Sequence, residues 1–353
     1  MTVSVEEFRE VGELPDRFDG LFEQNGARDF FLTRDWFELL SATGFDAAAD
    51  RVVIAASAAD GTPAALLPLA VGDGQVSALA NYYSLLYAPI VDRSLPGTQI
   101  AAALAAIAAE VKRRGAVVNL RPLAGDDPCL PALTAAFTSA GFVVDRHACG
   151  AMQYLDCAGQ DAAVFTAGLS RRVISTIDRN LGDIRDPDCF ALFTEPTEVK
   201  RAMAAYEAVY AASWKEAEPF PRFMRTLAET CARRGALRLG IWSIDGDPAA
   251  AQFWIVHGRR ATIYKLAHDR HYHTRSVGSA LTLRMFQEIL DGDRPDRIDF
   301  GLGDEAFKAD WTPDRTERIG LLAFNPLTPR GAAAAARHKA GRLFRLSRRR
   351  KRV

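Results

Sequence analysis

Between Ala236 and His268 the apolar residues fall into three β-prone runs, "ALRLGIWSI", "PAAAQFWIV" and "RATIYKLAH", separated by "DGD" and "HGRR". Turn residues at those intervals predict a meander of three antiparallel strands. Upstream, "CFALFTEP" (189–196) reads as a short strand. Residues 197–214 and 220–235 carry apolar positions at helical spacing, with Thr197 as N-cap of the first helix and Gly235 closing the second. Downstream come a helix over about 277–291, an alternating strand "DRIDFGLG", a short helical turn "DEAFKADW" and a last strand "TERIGLLAFNP". The order is β-α-α-β-β-β-α-β-α-β.

The first half reads in the same order. A strand at "TVSVEEFREV" precedes helices at 14–26 and 33–44, a hairpin across "ADG" (51–71) and a third strand from Gln75. A strong helix (98–115), the strand "AVVNLRPL", a helix at 129–140 and the strands "FVVDR" and "MQYLDC" follow. A helical segment, 161–184, joins the halves. The order repeats although the sequence does not, which predicts two structural repeats. Mixed α and β elements around a meander exclude a doubly wound parallel sheet and predict an α/β, α+β-type mixed sheet. The expected organisation is a first domain over 1–160, a linking helix over 161–188, a second domain over 189–329 and a basic tail over 330–353.

Composition adds limits. The chain has 353 residues, 48% hydrophobic and 25% charged, enough for two ordinary domains. No apolar run is as long as a membrane span and no signal-peptide pattern opens the chain, so a cytoplasmic location is expected. Five scattered cysteines make neither a C-x-x-C pair nor a disulfide framework. The formal charge is zero, but residues 330–353 hold ten Lys/Arg and no acid, leaving 34 Lys/Arg against 44 Asp/Glu in the body. That balance argues against a specific nucleic-acid partner. The tail is read as a disordered, solvating end; weak contact with an anionic surface, such as the inner face of a membrane, is the competing reading.

The chemistry concentrates around Arg275-Ser276-Val277-Gly278-Ser279-Ala280, between a strand and a helix. A helix start offers free N–H groups and the positive end of a dipole, and small residues allow a diphosphate to come close. Arg275 would add charge, Ser276 or Ser279 a hydroxyl; the plainer reading makes Ser276 an N-cap. Arg275-x-x-Gly278-x-Ala280 resembles the Q/R-x-x-G-x-G/A signature of the GNAT acyltransferases. "WK" (214–215), "AAQFWI", "IYKLAHD", "SVGSAL" and "DFGLGDEAFKADW" together resemble the acetyltransferase domain of FemABX/CelD-type proteins over about residues 160–325. The first half resembles the degenerate N-terminal half of such tandem proteins only in element order and in "FFLTRDWFELL".

The resemblance implies direct acyl transfer, with no covalent enzyme intermediate, from acetyl-CoA or another acyl-CoA to an amine. It implies that two central strands splay, and that a backbone N–H near the bulge at about Lys265–His268, Leu266 and Ala267 included, polarises the thioester carbonyl. Arg275 to Ala280 would hold the coenzyme's pyrophosphate. Asp304 and His268 are the candidate bases and Tyr272, or Tyr264 if it is not simply core packing, the candidate donor to the leaving thiolate. Trp214, Lys265, Glu305, Phe307 and Lys308 are the candidate substrate contacts. Four of these have a plainer alternative: an N-cap for Asp304, a loop histidine for His268, an exposed cation for Lys308, edge protection for Lys265. The implied acceptor is an amino sugar, amino acid or polysaccharide precursor, with a role in envelope or exopolysaccharide synthesis. An aminoacyl-tRNA donor, as in FemABX proteins, and an inactive scaffold are the alternatives. His268-x-x-His271-x-His273 lies in a loop without cysteines, and no metal is expected. Gly301-x-Gly303-x-x-Ala306 lacks the βαβ unit that a dinucleotide site needs.

Overall fold

A computed structural model describes residues 3–46, 49–180 and 189–350. The chain forms two compact units, Met1–Gly150 with Glu317–Val353, and Ala151–Thr316. Both cuts fall inside long strands, so the units do not follow the boundaries that element order suggests. The strand expected to close the second domain pairs with the first unit.

The first unit contains β1 (Val3–Phe8), α1 (Asp19–Gly26), α2 (Arg34–Thr43), β2 (Asp50–Ala58), β3 (Pro63–Gly72), β4 (Gln75–Ala78), β5 (Ile90–Val91), α3 (Gly97–Arg114), β6 (Val117–Ala124), α4 (Leu130–Ser139) and the start of β7 (Val143–Asp156). The two strands expected at 142–157 are one. The second unit holds the end of β7, α5 (Ala162–Gly168), α6 (Arg171–Asn180), β8 (Phe190–Phe193), α7 (Val199–Ala212), α8 (Pro221–Arg233), β9 (Leu237–Ile244), β10 (Asp247–His257), β11 (Arg260–His268), α9 (Val277–Glu288) and β12 (Arg297–Leu302). β13 (Asp314–Phe324) and α10 (Pro329–Arg350) end the chain.

In the second unit the meander is as the pattern predicts: β9 pairs antiparallel with β10, and β10 with β11. β8 adds to the β9 edge, and β12 pairs antiparallel with Tyr154, Leu155 and Asp156 of β7. α9 buries Val277, Ala280, Leu281, Met285 and Phe286 on the sheet, with the Phe286 ring stacked on Phe165 of α5 at 4.5 Å. Close helix–sheet packing is possible because Gly240 faces α9: a Cβ there would lie 3.2 Å from Leu281 Cδ1 and overlap Met285. Two local expectations fail. Pro196 opens a separate 3-10 turn, so α7 starts at Val199 after Glu198 and Thr197 caps nothing. The linking helix breaks at Leu169; Asp161 caps α5 by accepting from Val164 N–H (2.8 Å), and residues 181–188 lie outside the described residues.

In the first unit β4 and β6 run parallel for three residue pairs, Gln75↔Val117 to Ser77↔Asn119. Past that point the chain between β4 and β5 packs in beside β6. Tyr87 N–H donates to Pro122 O (2.7 Å), Tyr87 Oη to Pro68 O (2.8 Å) and Arg318 Nε to Leu85 O (3.0 Å). Tyr83, Leu85 and Tyr87 are buried there, each side chain contributing roughly 1.5–3 kcal/mol of hydrophobic stabilisation. β13 pairs antiparallel with β6 from Arg318↔Ala124 to Phe324↔Val117. The tail continues as α10 instead of a disordered end. Asp145 holds it, accepting from Arg342 Nη1 (2.5 Å) and lying 2.8 Å from His338 Nε2. Residues 351–353 of that tail lie outside the described residues. Among the described residues no helix is long and apolar enough to cross a membrane.

Candidate active site

The second unit has the same parallel pair, and here it stays open. β11 and β12 pair only at Arg260↔Arg297, Ala261↔Ile298 and Thr262↔Asp299. β12 then turns toward β7: its register there slips between Asp299 and Leu302, around Gly301 with φ 51. β11 instead follows β10 as far as His268↔Ala250. Within that ladder Phe253 faces Lys265 while Trp254 faces Ile263, which makes Tyr264 the extra residue. The bulge therefore sits one residue before the expected Lys265–His268 stretch. Among the described residues the β11–β12 ladder ends at Thr262↔Asp299.

The start of α9 borders this opening. Ser276 is left-handed (φ 53, ψ 26) and its side chain makes no capping bond, so the N-cap reading of Ser276 is not what the structure shows. Its carbonyl accepts the N–H groups of Ser279 (3.0 Å) and Ala280 (3.1 Å). The N–H groups of Val277 and Gly278 have no acceptor among the described residues. Both point from the positive end of a 12-residue helix. A buried relay pins this turn to β10: Trp254 Nε1 donates to Gln252 Oε1 (2.8 Å), Gln252 Nε2 to Thr282 Oγ1 (2.6 Å) and Thr282 Oγ1 to Gly278 O (2.8 Å). Val277 and Ala280 are buried, leaving only their backbone for a ligand; Arg275 is exposed and Ser279 half-buried. On β11, Ala267 is buried and Leu266 partly so.

Gly278 has a further reason to be glycine. A Cβ there would come within 3.3 Å of His268 Nδ1. The missing side chain lets the imidazole lie against the helix start. His268 also meets the Trp214 ring (centroids 4.6 Å) and His273, whose Nδ1 is 3.4 Å from His268 Nε2. Burial first, and then the neighbouring His273, lower its pKa and favour the neutral ring.

Three lysines and two carboxylates surround the opening. Lys265, in mid-strand, is buried and forms an ion pair with Glu218 at 3.2 Å. Lys308 is buried and donates to Leu302 O (2.7 Å) and Gly303 O (3.4 Å) while pairing with Glu305 Oε2 (2.8 Å). With its ammonium turned to the protein's own acceptors, Lys308 braces the loop after β12; it is neither an exposed cation nor free for substrate. Burial works against the Glu305 charge, but Lys308 outweighs it and holds that carboxyl below its usual range. Lys215 lies over the Tyr210 and Trp214 rings (5.9 Å each). Its pKa is pushed down to about 8, by burial first and then by Lys265 and Lys308, with Glu218 opposing. Trp214 and Phe307 each leave about half of their surface exposed.

The other candidates fall outside this cluster. Asp304 is 71% exposed beside Arg315 (3.8 Å), and the turn that follows is headed by Glu305 without a side-chain bond, so Asp304 is no cap. Tyr272 sits in a 3-10 turn, partly packed on the core. His271 faces solvent next to Asp269 (3.4 Å), away from the His268–His273 pair. Among the described residues no three His, Cys, Asp or Glu side chains are arranged around a common metal position. Sequence reasoning missed Glu218, and noted Lys215 only within "WK". The one signal was a run of charge, "WKEAEP", in a loop between two helices.

A family model for the acetyltransferase (GNAT) domain matches residues 170–309. No curated protein matches the sequence. Among solved structures the chain is similar to FemX, with 10% identity over 91% of this chain and 98% of that one at a TM-score of 0.59. It is similar to L-PGS from Bacillus licheniformis, with 13% identity over 94% and 96% at 0.56. It also resembles the C-terminal domain of a lysylphosphatidylglycerol synthetase from Agrobacterium fabrum, so described provisionally, with 14% identity over 80% and 86% at 0.52. These likenesses establish the fold.

Proposed function

We propose that the second half of this chain, which matches the acetyltransferase (GNAT) domain over residues 170–309, moves an acyl group, acetyl in the simplest case, from acyl-CoA to the amine of a small molecule or glycan precursor. One observation carries the choice of donor. A parallel strand pair that parts after three residue pairs opens beside a helix start with two uncommitted N–H groups. Val277 and Gly278 would bind the pyrophosphate through their backbone, with Arg275 closing over it. The backbone of β11 at Leu266 and Ala267, beyond the end of its ladder with β12, would hydrogen-bond the pantetheine arm and polarise the acyl carbonyl. Neutral His268 would take the proton released as the amine attacks, and no covalent intermediate is formed. Holding both reactants in one slot would supply much of the acceleration.

The filled slot beside Tyr83, Leu85 and Tyr87 supports a single coenzyme site, in the second unit. An aminoacyl ester as donor is a second reading, supported by the synthetase named among the similar structures. An amino-sugar, amino-acid or polysaccharide-precursor acceptor, and weak contact of the basic tail with an anionic membrane surface, belong to the same proposal. The test is calorimetric titration with acetyl-CoA, then thiol release in the presence of amines. Micromolar binding that Gly278→Glu abolishes is the expected result; absence of coenzyme binding sinks this donor.

A further inference from the structure

Two charged groups at the opening lack the partners that buried charges require. Both carboxylate oxygens of Glu218 are buried and make no hydrogen bond among the described residues; Lys265 faces one of them as an ion pair at 3.2 Å. A carboxylate has about four acceptor positions, and leaving them empty in a buried place is costly. The Lys215 ammonium is in the opposite position. It has no carboxylate or carbonyl acceptor among the described residues, only two aromatic faces, although Lys265 and Lys308 crowd it with like charge. Lys265 and Lys308 are each already matched to a glutamate. The cluster of three lysines and two glutamates therefore holds one unmatched positive charge and one under-coordinated negative group, on the same short loop three residues apart.

We propose that Lys215 and Glu218 read an amine that carries its own carboxylate, so that the acceptor is an amino acid. This inference rests on the acyltransferase reading and narrows its acceptor. The acceptor carboxylate meets the Lys215 ammonium and supplies the missing anion. The acceptor ammonium donates to the open lone pairs of Glu218. Before attack that ammonium must lose a proton, which passes to solvent water, and the freed amine lone pair attacks the acyl carbonyl. A new C–N bond forms, the C–S bond breaks and the thiolate leaves, while the second amine proton passes to His268. The half-exposed ring of Trp214, adjacent to Lys215, walls the side-chain end of the acceptor.

The experiment is a calorimetric titration of the full chain with the twenty standard amino acids and their D-forms, without coenzyme. The best binder is then compared with two analogues, its decarboxylated amine and its hydroxy acid. The amino acid is expected to bind at least tenfold more tightly than either. Lys215→Gln should erase the preference over the amine, Glu218→Gln the preference over the hydroxy acid, and Lys215→Arg should keep both, with circular dichroism confirming the fold of each variant. Equal affinity for the decarboxylated amine, or no binding across the set, overturns the proposal. A separate acetyl-CoA titration reports on the donor. Amino-acid binding without coenzyme binding would retire the acyl-CoA donor and leave this acceptor site standing; the reverse would retire the acceptor site alone.

Discussion

Gly278→Glu should separate binding from folding, because the two respond in opposite directions. The backbone at Gly278 is helical, so a side chain adds no backbone strain, and replacing glycine in a helix gains up to ~1 kcal/mol. An acid in the first turn of α9 gains a further ~0.3–1 kcal/mol from the dipole. Against this, the new Cβ sits 3.3 Å from His268 Nδ1, and the ring must give by a few tenths of an ångström. The sum predicts stability within about 1 kcal/mol of the wild type. For the ligand the same carboxylate is adverse. At ~6 Å from a phosphate charge, with an effective dielectric of ~20, repulsion is about 3 kcal/mol, roughly a hundredfold in affinity. Urea unfolding gives the first quantity and acetyl-CoA titration the second. Gly278→Ala is the control: uncharged, it should retain most of the affinity. Unchanged coenzyme binding in Gly278→Glu would refute the assignment of the α9 start to the pyrophosphate. A large loss of stability would show that the glycine serves packing alone.

Lys308→Met should cost about 2 kcal/mol in urea unfolding, because it strips the Leu302 and Gly303 carbonyls of their donor. The Glu305 carboxyl is depressed in the folded state, so its contribution is present above the unfolded pKa near 4 and fades as pH falls through the lower folded value; Lys308→Met should flatten that acid limb of the stability profile. His268 is also lowered when folded, so between its folded value and ~6.5 the unfolded chain binds more protons and stability drops as pH falls. Ring-proton NMR should find His268 titrating below ~6.5. Lysine-selective labelling should reveal one ammonium near 8, belonging to Lys215, and Lys265→Met should move it upward by removing a like charge; a Lys215 resonance near 10 would contradict the charge balance drawn for the cleft.

Where the pattern was periodic, the sequence was readable. The meander from Leu237 to His268 and the start of the helix at Val277 emerge within a residue or two of their predicted positions, because alternation and turn residues act locally. The place where β11 and β12 part was expected only through family resemblance: nothing in "RATIYKLAH" or "RIDFGLG" shows how many residues of each will pair. Thr197 failed as a cap because Pro196 made its own turn first. Lys308 was assigned to the substrate because a lone cation in a loop carries no mark of the carbonyls it will meet. Glu218 went unnoticed for the converse reason, since the cation it meets, Lys265, lies on a strand far along the chain. The partner of β13 was likewise hidden: strand propensity at 314–324 says nothing about which sheet receives it.

That last feature governs how the molecule can be made. Synthesis delivers β6 early, yet its neighbour Arg318–Phe324 is nearly two hundred residues downstream. At ~5–20 residues per second, the amino-terminal sheet spends on the order of ten seconds or more on the ribosome with an exposed edge. It can close only after the whole second unit has emerged. A fragment ending before Glu317 would therefore leave the amino-terminal sheet without its partner strand, whereas supplying residues 314–350 in trans offers a way to restore it.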